Sequence, residues 1–274
     1  MKKDPPAPVA IDVLRPKPTA QQEAMAERRR ARREERQQAV GAARRGLILD
    51  AARAVFTESG LDGGSLREIA RRAGYTPGAL YSYFDSKEAI YAELLGESLD
   101  RLQAAVRAAK PAAPARGRRK AVADEAQAPD AVTAPAAALL MAKARGWFDF
   151  YARHPRDLDL GFYLAHGLGP KGLTPDLNDR LNQRLLQALA PCEDALRALG
   201  CAPDIARREH AALFAHGVGL LLLQHTGRIR LFDQQASPLF DEHLRQLVWR
   251  LTGLAVDAAT AWAGGAAGGA PGHA

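Results

Sequence analysis

Nowhere in these 274 residues do apolar and polar side chains alternate with a period of two. A half-buried strand needs that alternation, because its successive side chains point to opposite faces. Apolar residues recur here at spacings of three and four. In GLILDAARAVFTESG, Ile48, Ala52, Val55 and Phe56 fall on one stripe of a helical period, and Gly60 can end the helix. The pattern predicts an all-α chain without a sheet. Composition agrees: Ala, Leu and Arg dominate while aromatics are only 6%, and those three residues lose little side-chain freedom in a helix.

Five regions follow from the pattern. Residues 1–43 read as a disordered, basic N-terminal extension. The first 19 are Pro-rich and aperiodic, and the charged stretch after them can form a solvated helix but has no apolar face to bury. Residues 44–107 read as a compact unit of short helices with a connecting helix. Residues 108–135 form an Ala/Pro-rich segment with a basic knot, expected to be a flexible insertion. Residues 136–257 carry five further helical patterns and make a second helical domain. Residues 258–274 are a Gly/Ala tail with no means of packing, expected to be disordered.

The second region holds the most specific signals. In SLREIARRAG, Ser65 with Glu68 three residues on makes a capping box, in which hydroxyl and carboxylate each accept from a free backbone N–H. Leu66, Ile69, Ala70 and Ala73 form the apolar stripe, and Gly74 can take the left-handed conformation that ends the helix. Thr76 can cap the next helix, with Pro77 at its first position. Leu80 and Phe84, four apart, point into one core, and a longer helix runs from about Lys87 to Arg107. Three short helices with a tight turn before the third make a helix-turn-helix unit. The third helix has only two core anchors, which leaves Thr76, Pro77, Ala79, Tyr81 and Tyr83 on its other face, beside Lys87.

Charge is distributed unevenly. Residues 1–120 hold 24 Lys and Arg against 15 Asp and Glu, while residues 121–274 hold 14 against 16. A basic first half on a near-neutral second half suggests a polyanion-binding module on a body with another task. Eight arginines fall between residues 28 and 45, Arg44 and Arg45 last. They are either a basic arm for flanking phosphates or the minor groove, or a solvated charged helix.

Residues 47–94 resemble the DNA-binding region of the tetracycline-repressor (TetR) family of bacterial transcription regulators. The likeness lies in ILDAA, the Phe56–Gly60 pair, the REIA run, AG before the turn, G-x-L-Y-x-Y-F, and S-K-E. Tyr75, where the family often has a small aliphatic residue, and Pro77, where Lys or Ser is common, depart from it. The resemblance implies that Ser65, Thr76, Tyr81, Tyr83 and Lys87 contact DNA. Hydroxyls, an ammonium and helix-start N–H groups are all phosphate donors. Gly78 lets backbone approach the duplex, and Pro77 and Ala79 can offer only apolar contact, for example to thymine methyls. Arg67 is the best candidate for a polar base contact, unless it is simply solvated.

The second domain offers two surfaces. Trp147, Phe148, Tyr151, Phe162, Tyr163 and His166, with Phe214, are either plain core or the lining of an apolar pocket for a small hydrophobic or aromatic effector. The resemblance places such a pocket among these helices. Leu213, Gly217 and Leu221 on one late helix, and Phe240, Leu244, Leu247, Val248 and Leu251 on the next, are either buried within one chain or form half of a four-helix dimer interface. The family's use of its C-terminal helices favours the dimer.

Other chemistry finds little footing. No His or Cys spacing suggests a metal site, and no cofactor is expected. Cys192 and Cys201 read as small apolar fillers. The G-x-G-x-x-G at Gly167, Gly169 and Gly172 follows a helical pattern and contains Pro170, so it reads as a loop and not a dinucleotide site. No nucleophile or paired-carboxylate constellation suggests an enzyme. No membrane span or signal segment is read, and a cytoplasmic location is expected. The expectation is a homodimeric repressor that binds a palindromic double-stranded operator. An effector would release it by repositioning the helix at 87–107. The alternative is an architectural DNA-binding protein with no small-molecule ligand.

Overall fold

The computed structural model describes residues 20–111, 133–162 and 173–253. It contains helices α1 (Ala20–Gly63), α2 (Leu66–Ala73), α3 (Pro77–Leu80), α4 (Lys87–Ala108), α5 (Thr133–Arg153), α6 (Pro155–Phe162), α7 (Pro175–Ala198), α8 (Pro203–His225) and α9 (Ala236–Thr252). A 3₁₀ turn, Arg228–Phe232, joins the last two, and no strand occurs among the described residues. The expected tail at 258–274, most of the insertion and residues 1–19 lie outside the described residues.

Residues 20–43, grouped by sequence with a disordered, basic extension but also read as able to form a solvated helix, are helical and continue without a break into the packed part of α1. Their charge still leaves them no face to bury. However, helix propagation needs only a nucleus and good helix formers. Burial of Ile48, Ala52 and Val55 supplies the nucleus, and the Ala/Arg/Gln/Glu sequence upstream extends it. Gly60, at φ 67° and ψ 179°, breaks the helical path, and one further turn ends at Gly63.

Helix α4 joins the two halves. It packs on α1 in the first and on α5 and α7 in the second, and α8 and α9 are added on the far side. The buried residues from Ile48 to Val248 accordingly form one connected cluster. Gly146 lets α5 approach α4: a Cβ there would stand 2.9 Å from the Ala109 Cβ and 3.2 Å from the Val106 Cα.

The aromatic residues of α5 fill this core. Phe148 stacks on Phe240 at 4.1 Å, and Trp147 stands edge-on to Phe148, Phe214 and Phe240. Gly217 makes room for them, since a Cβ there would meet the Trp147 ring at 2.2 Å. Cys192 is buried in α7, and desolvation pushes its thiol up to about 12. It is therefore an unreactive filler.

The residues expected at a dimer interface are inward-facing. Leu213, Gly217, Leu221, Phe240, Leu244, Leu247 and Val248 are buried within a single chain, and Leu251 is half-buried. Periodicity finds an apolar stripe but not its partner. Here α8 and α9 turn their stripes onto α5, α7 and each other.

Candidate nucleic-acid interface

Local chemistry fixes the helix-turn-helix. The Ser65 Oγ accepts from the Glu68 N–H at 3.2 Å and starts α2. Only half of the expected capping box forms. The Glu68 carboxylate instead pairs with Arg71 and Arg72, which hold its carboxyl down at about 2. Arg72 also binds Glu58 of α1, so this network ties α2 to α1. Gly74 closes α2 in the left-handed region, at φ 75°. Thr76 then caps α3, its Oγ1 accepting from the Ala79 N–H at 3.2 Å, with Pro77 at the first helical position.

Helix α3 is only four residues long. Leu80 and Phe84 anchor it and the turn after it in the core. This leaves Arg67, Thr76, Pro77, Gly78 and Tyr81 exposed on one side, with Ala79 half-buried. Gly78 has open space where a Cβ would be, as close backbone approach to a duplex requires. Tyr81 is 57% exposed. Arg67 has no partner among the described residues. Tyr83 leans on Tyr75, ring centroids 6.3 Å apart, and its hydroxyl lies toward Arg44. The Tyr83 phenol first, and that of Tyr75 after it, hold the Arg44 guanidinium above its ordinary pKa.

Two expected contacts are engaged elsewhere. The Lys87 ammonium donates to the Leu61 carbonyl at 2.9 Å and the Gly64 carbonyl at 3.4 Å, fastening the start of α4 to the α1–α2 turn. The Arg45 guanidinium pairs with Glu93 of α4, donates to the Tyr83 carbonyl at 2.8 Å and lies 4.1 Å from the centre of the Phe84 ring. Sequence types both as phosphate-seeking cations; their acceptors come from elements 20 to 50 positions away, where local pattern gives no signal. The arrangement also reveals a feature the sequence reading missed. Tyr83 forms one wall of an open groove whose other wall is Arg33, Arg36, Gln37, Val40, Gly41 and Arg44 of α1.

In the second half, Trp147, Phe148 and Phe214 are committed to the core, and Tyr163 and His166 lie outside the described residues. Of the aromatic residues named for a pocket, Tyr151 and Phe162 border a cleft between α4, α6 and α7, with Leu95, Leu99, Leu181 and Leu185 and the amides of Asn178 and Asn182. Helix α6 is bound to α4 here. The Tyr91 hydroxyl donates to the Leu160 carbonyl, and Arg101 pairs with Asp157 at 2.6 Å. Among the described residues no group of three His, Cys, Asp or Glu could hold a metal ion, and no helix is long and apolar enough to cross a membrane.

Residues 48–94, the unit built by α1 to α4, match the bacterial regulatory proteins of the tetR family. Over 59 residues the chain is 46% identical to the HTH-type transcriptional repressor KstR2 of Rhodococcus jostii (strain RHA1), covering 22% of this chain and 29% of that protein. Over 66 residues it is 41% identical to the HTH-type transcriptional activator FasR of Mycolicibacterium smegmatis, covering 24% and 30%. The match thus spans under a third of the length of either relative. A likeness of fold extends further. The solved structure of the regulatory protein SCO4313 superposes with a TM-score of 0.58 at 20% identity, covering 77% of this chain and 97% of that one.

Proposed function

We propose that this DNA-binding regulator of transcription, whose residues 48–94 form a tetR-family domain, acts as a homodimeric repressor on a palindromic operator. The observation that carries the reading is the exposed face of α2 and α3. It presents Arg67, Thr76, Pro77, Gly78 and Tyr81 to solvent on a rigid, capped turn that a major groove can accept. The name of KstR2 supports repression as the direction.

The dimer would form through the outward sides of α8 and α9, opposite the stripes buried in the chain. Helix α8 there carries the small residues Ala212, Ala215 and Gly219, and α9 carries Trp249, which is 63% exposed. Small residues opposite a large ring allow close helix approach across a two-fold axis.

The cleft between α4, α6 and α7 has a cavity volume of about 40 Å³, so a small apolar effector with one polar end for the two asparagine amides would have to open it. Its walls include Leu95 and Leu99 of α4, next to Glu93. Glu93 holds Arg45, and Arg45 holds the Tyr83 carbonyl at the end of the recognition turn. A ligand that shifts α4 therefore pulls on the recognition unit through two side chains. It releases DNA only by binding the shifted state more tightly, by about 1–3 kcal/mol.

The test is selection of duplexes by the purified chain from a randomised pool, followed by sequencing. An enriched inverted repeat is expected, with half-sites spaced by about one DNA turn or a multiple of it. Enrichment of single half-sites sinks the dimer, and no enrichment over the input sinks sequence-specific regulation. The architectural alternative predicts duplex binding that no small apolar compound weakens.

A further inference from the structure

Residues 27–40 of α1 are all exposed, yet their charge is ordered. Viewed down the axis, Arg28, Arg29, Arg32, Arg33, Arg36 and Arg44 fall within an arc of about 160°. Neither acidic residue between them, Glu34 or Glu35, enters that arc, and Glu27 just upstream also lies outside it. Arg30, outside the arc, is bonded to Glu34 at 2.9 Å. Arginines scattered for solubility would alternate with carboxylates around the helix. Here one face is cationic and the carboxylates sit behind it.

The face is continuous with the candidate interface. Arg33, Arg36 and Arg44 line the groove closed by Tyr83, and Tyr83 follows the four residues of α3. From Arg29 to Arg44 the ridge spans about 22 Å, and duplex DNA carries a charge for every ~1.7 Å of its axis. Arginine guanidinium groups bind phosphate in a bidentate manner and need no base edge to do so.

We infer that this ridge of α1 is a second, sequence-independent DNA contact, seated on the phosphates of the duplex that flanks the operator half-site. The inference rests on the reading of the chain as a DNA-binding protein. An anionic membrane is the other polyanion such a ridge meets. A membrane-lying helix, however, pairs its cations with a broad apolar face, and this one backs them with Glu, Gln and Ala.

The experiment uses the intact chain, the R29A/R33A/R36A variant and the R29K/R33K/R36K variant. The probes are a selected inverted repeat trimmed to its half-sites, the same repeat inside a 50-base-pair duplex, and vesicles of anionic phospholipid. On the long duplex the alanine variant should lose about 2–3 from the slope of log K against log salt, and the lysine variant should regain most of it. On the trimmed duplex the slopes should converge. An unchanged slope on the long duplex overturns the ridge while leaving operator binding intact. Vesicle binding lost in the alanine variant, with duplex slopes unchanged, assigns the ridge to a membrane and also overturns it. Failure of the unsubstituted chain to bind any duplex removes the DNA reading and the ridge together.

Discussion

Arg45 is held by a carboxylate, a backbone carbonyl and a ring face at once, and its neighbour Arg44 faces the open groove near the Tyr83 and Tyr75 phenols. Adjacent arginines on one helix thus have different tasks, because a helix turns each successive side chain by about 100°. Arg45→Ala leaves Glu93 unpaired and the Tyr83 carbonyl without its donor. The pair is partly exposed, so the expected cost is about 1 kcal/mol, read by urea denaturation. Arg45→Lys recovers little, since an ammonium cannot make the forked pair and lie on Phe84 together. Tyr83→Phe leaves stability within about 0.5 kcal/mol and lowers DNA affinity alike for all sequences, if its hydroxyl reaches phosphate. A Tyr83→Phe chain that binds DNA with unchanged affinity would return that hydroxyl to orienting Arg44. The roles of Lys87 and Arg45 were illegible in sequence for a physical reason: a cation's partner is set by packing between distant elements.

Elements were legible where the local chemistry is self-contained. Ser65, Gly74, Thr76 and Pro77 set the ends of α2 and α3 with their own side chains or backbone freedom, and the structure puts the caps and the turn where those residues stand. The direction in which an element faces is not local. The stripes of α8 and α9 were apolar enough for a dimer, but the chain's own aromatic residues claimed them. Gly217 shows how closely. A Cβ at this position strikes both Trp147 and Phe240, neither of which has free space to retreat into. Gly217→Ala should therefore destabilise the fold by about 1–3 kcal/mol despite the gain in helix propensity. Gly219→Ala on the same helix meets nothing within 4 Å and should stabilise the single chain slightly. Thermal melts of the two variants, run dilute enough that the chain is a monomer, separate a crowded inner face from one that is open in the single chain. Equal shifts would mean that Trp147 and Phe240 yield readily.

At the scale of the whole molecule, a connected core lets titration on α8 and α9 act on the entire fold. His216 and His243 stack with their centroids 3.9 Å apart. Desolvation lowers the pKa of both. His243 is lowered further by His216 and Arg250, with Glu209 opposing. His210 is lowered by desolvation, and Glu193 opposes. In the unfolded chain these rings titrate near 6.5. Below that pH the unfolded chain binds protons that the folded chain still refuses, so stability falls as pH drops. Asp149 and Asp241 shift the other way. Burial raises both from the usual carboxylate range, with Arg145 opposing, so they favour the fold on acidification. The histidine contribution begins as the pH falls through about 6.5, where the unfolded rings take up protons. Melting temperature should decline as the pH is lowered from there. His243→Gln keeps a polar side chain on α9 but removes both a titrating ring and the charge-on-charge penalty to its neighbour, and should flatten the decline. A decline of undiminished steepness in that variant would move the acid sensitivity from the stacked pair to His210.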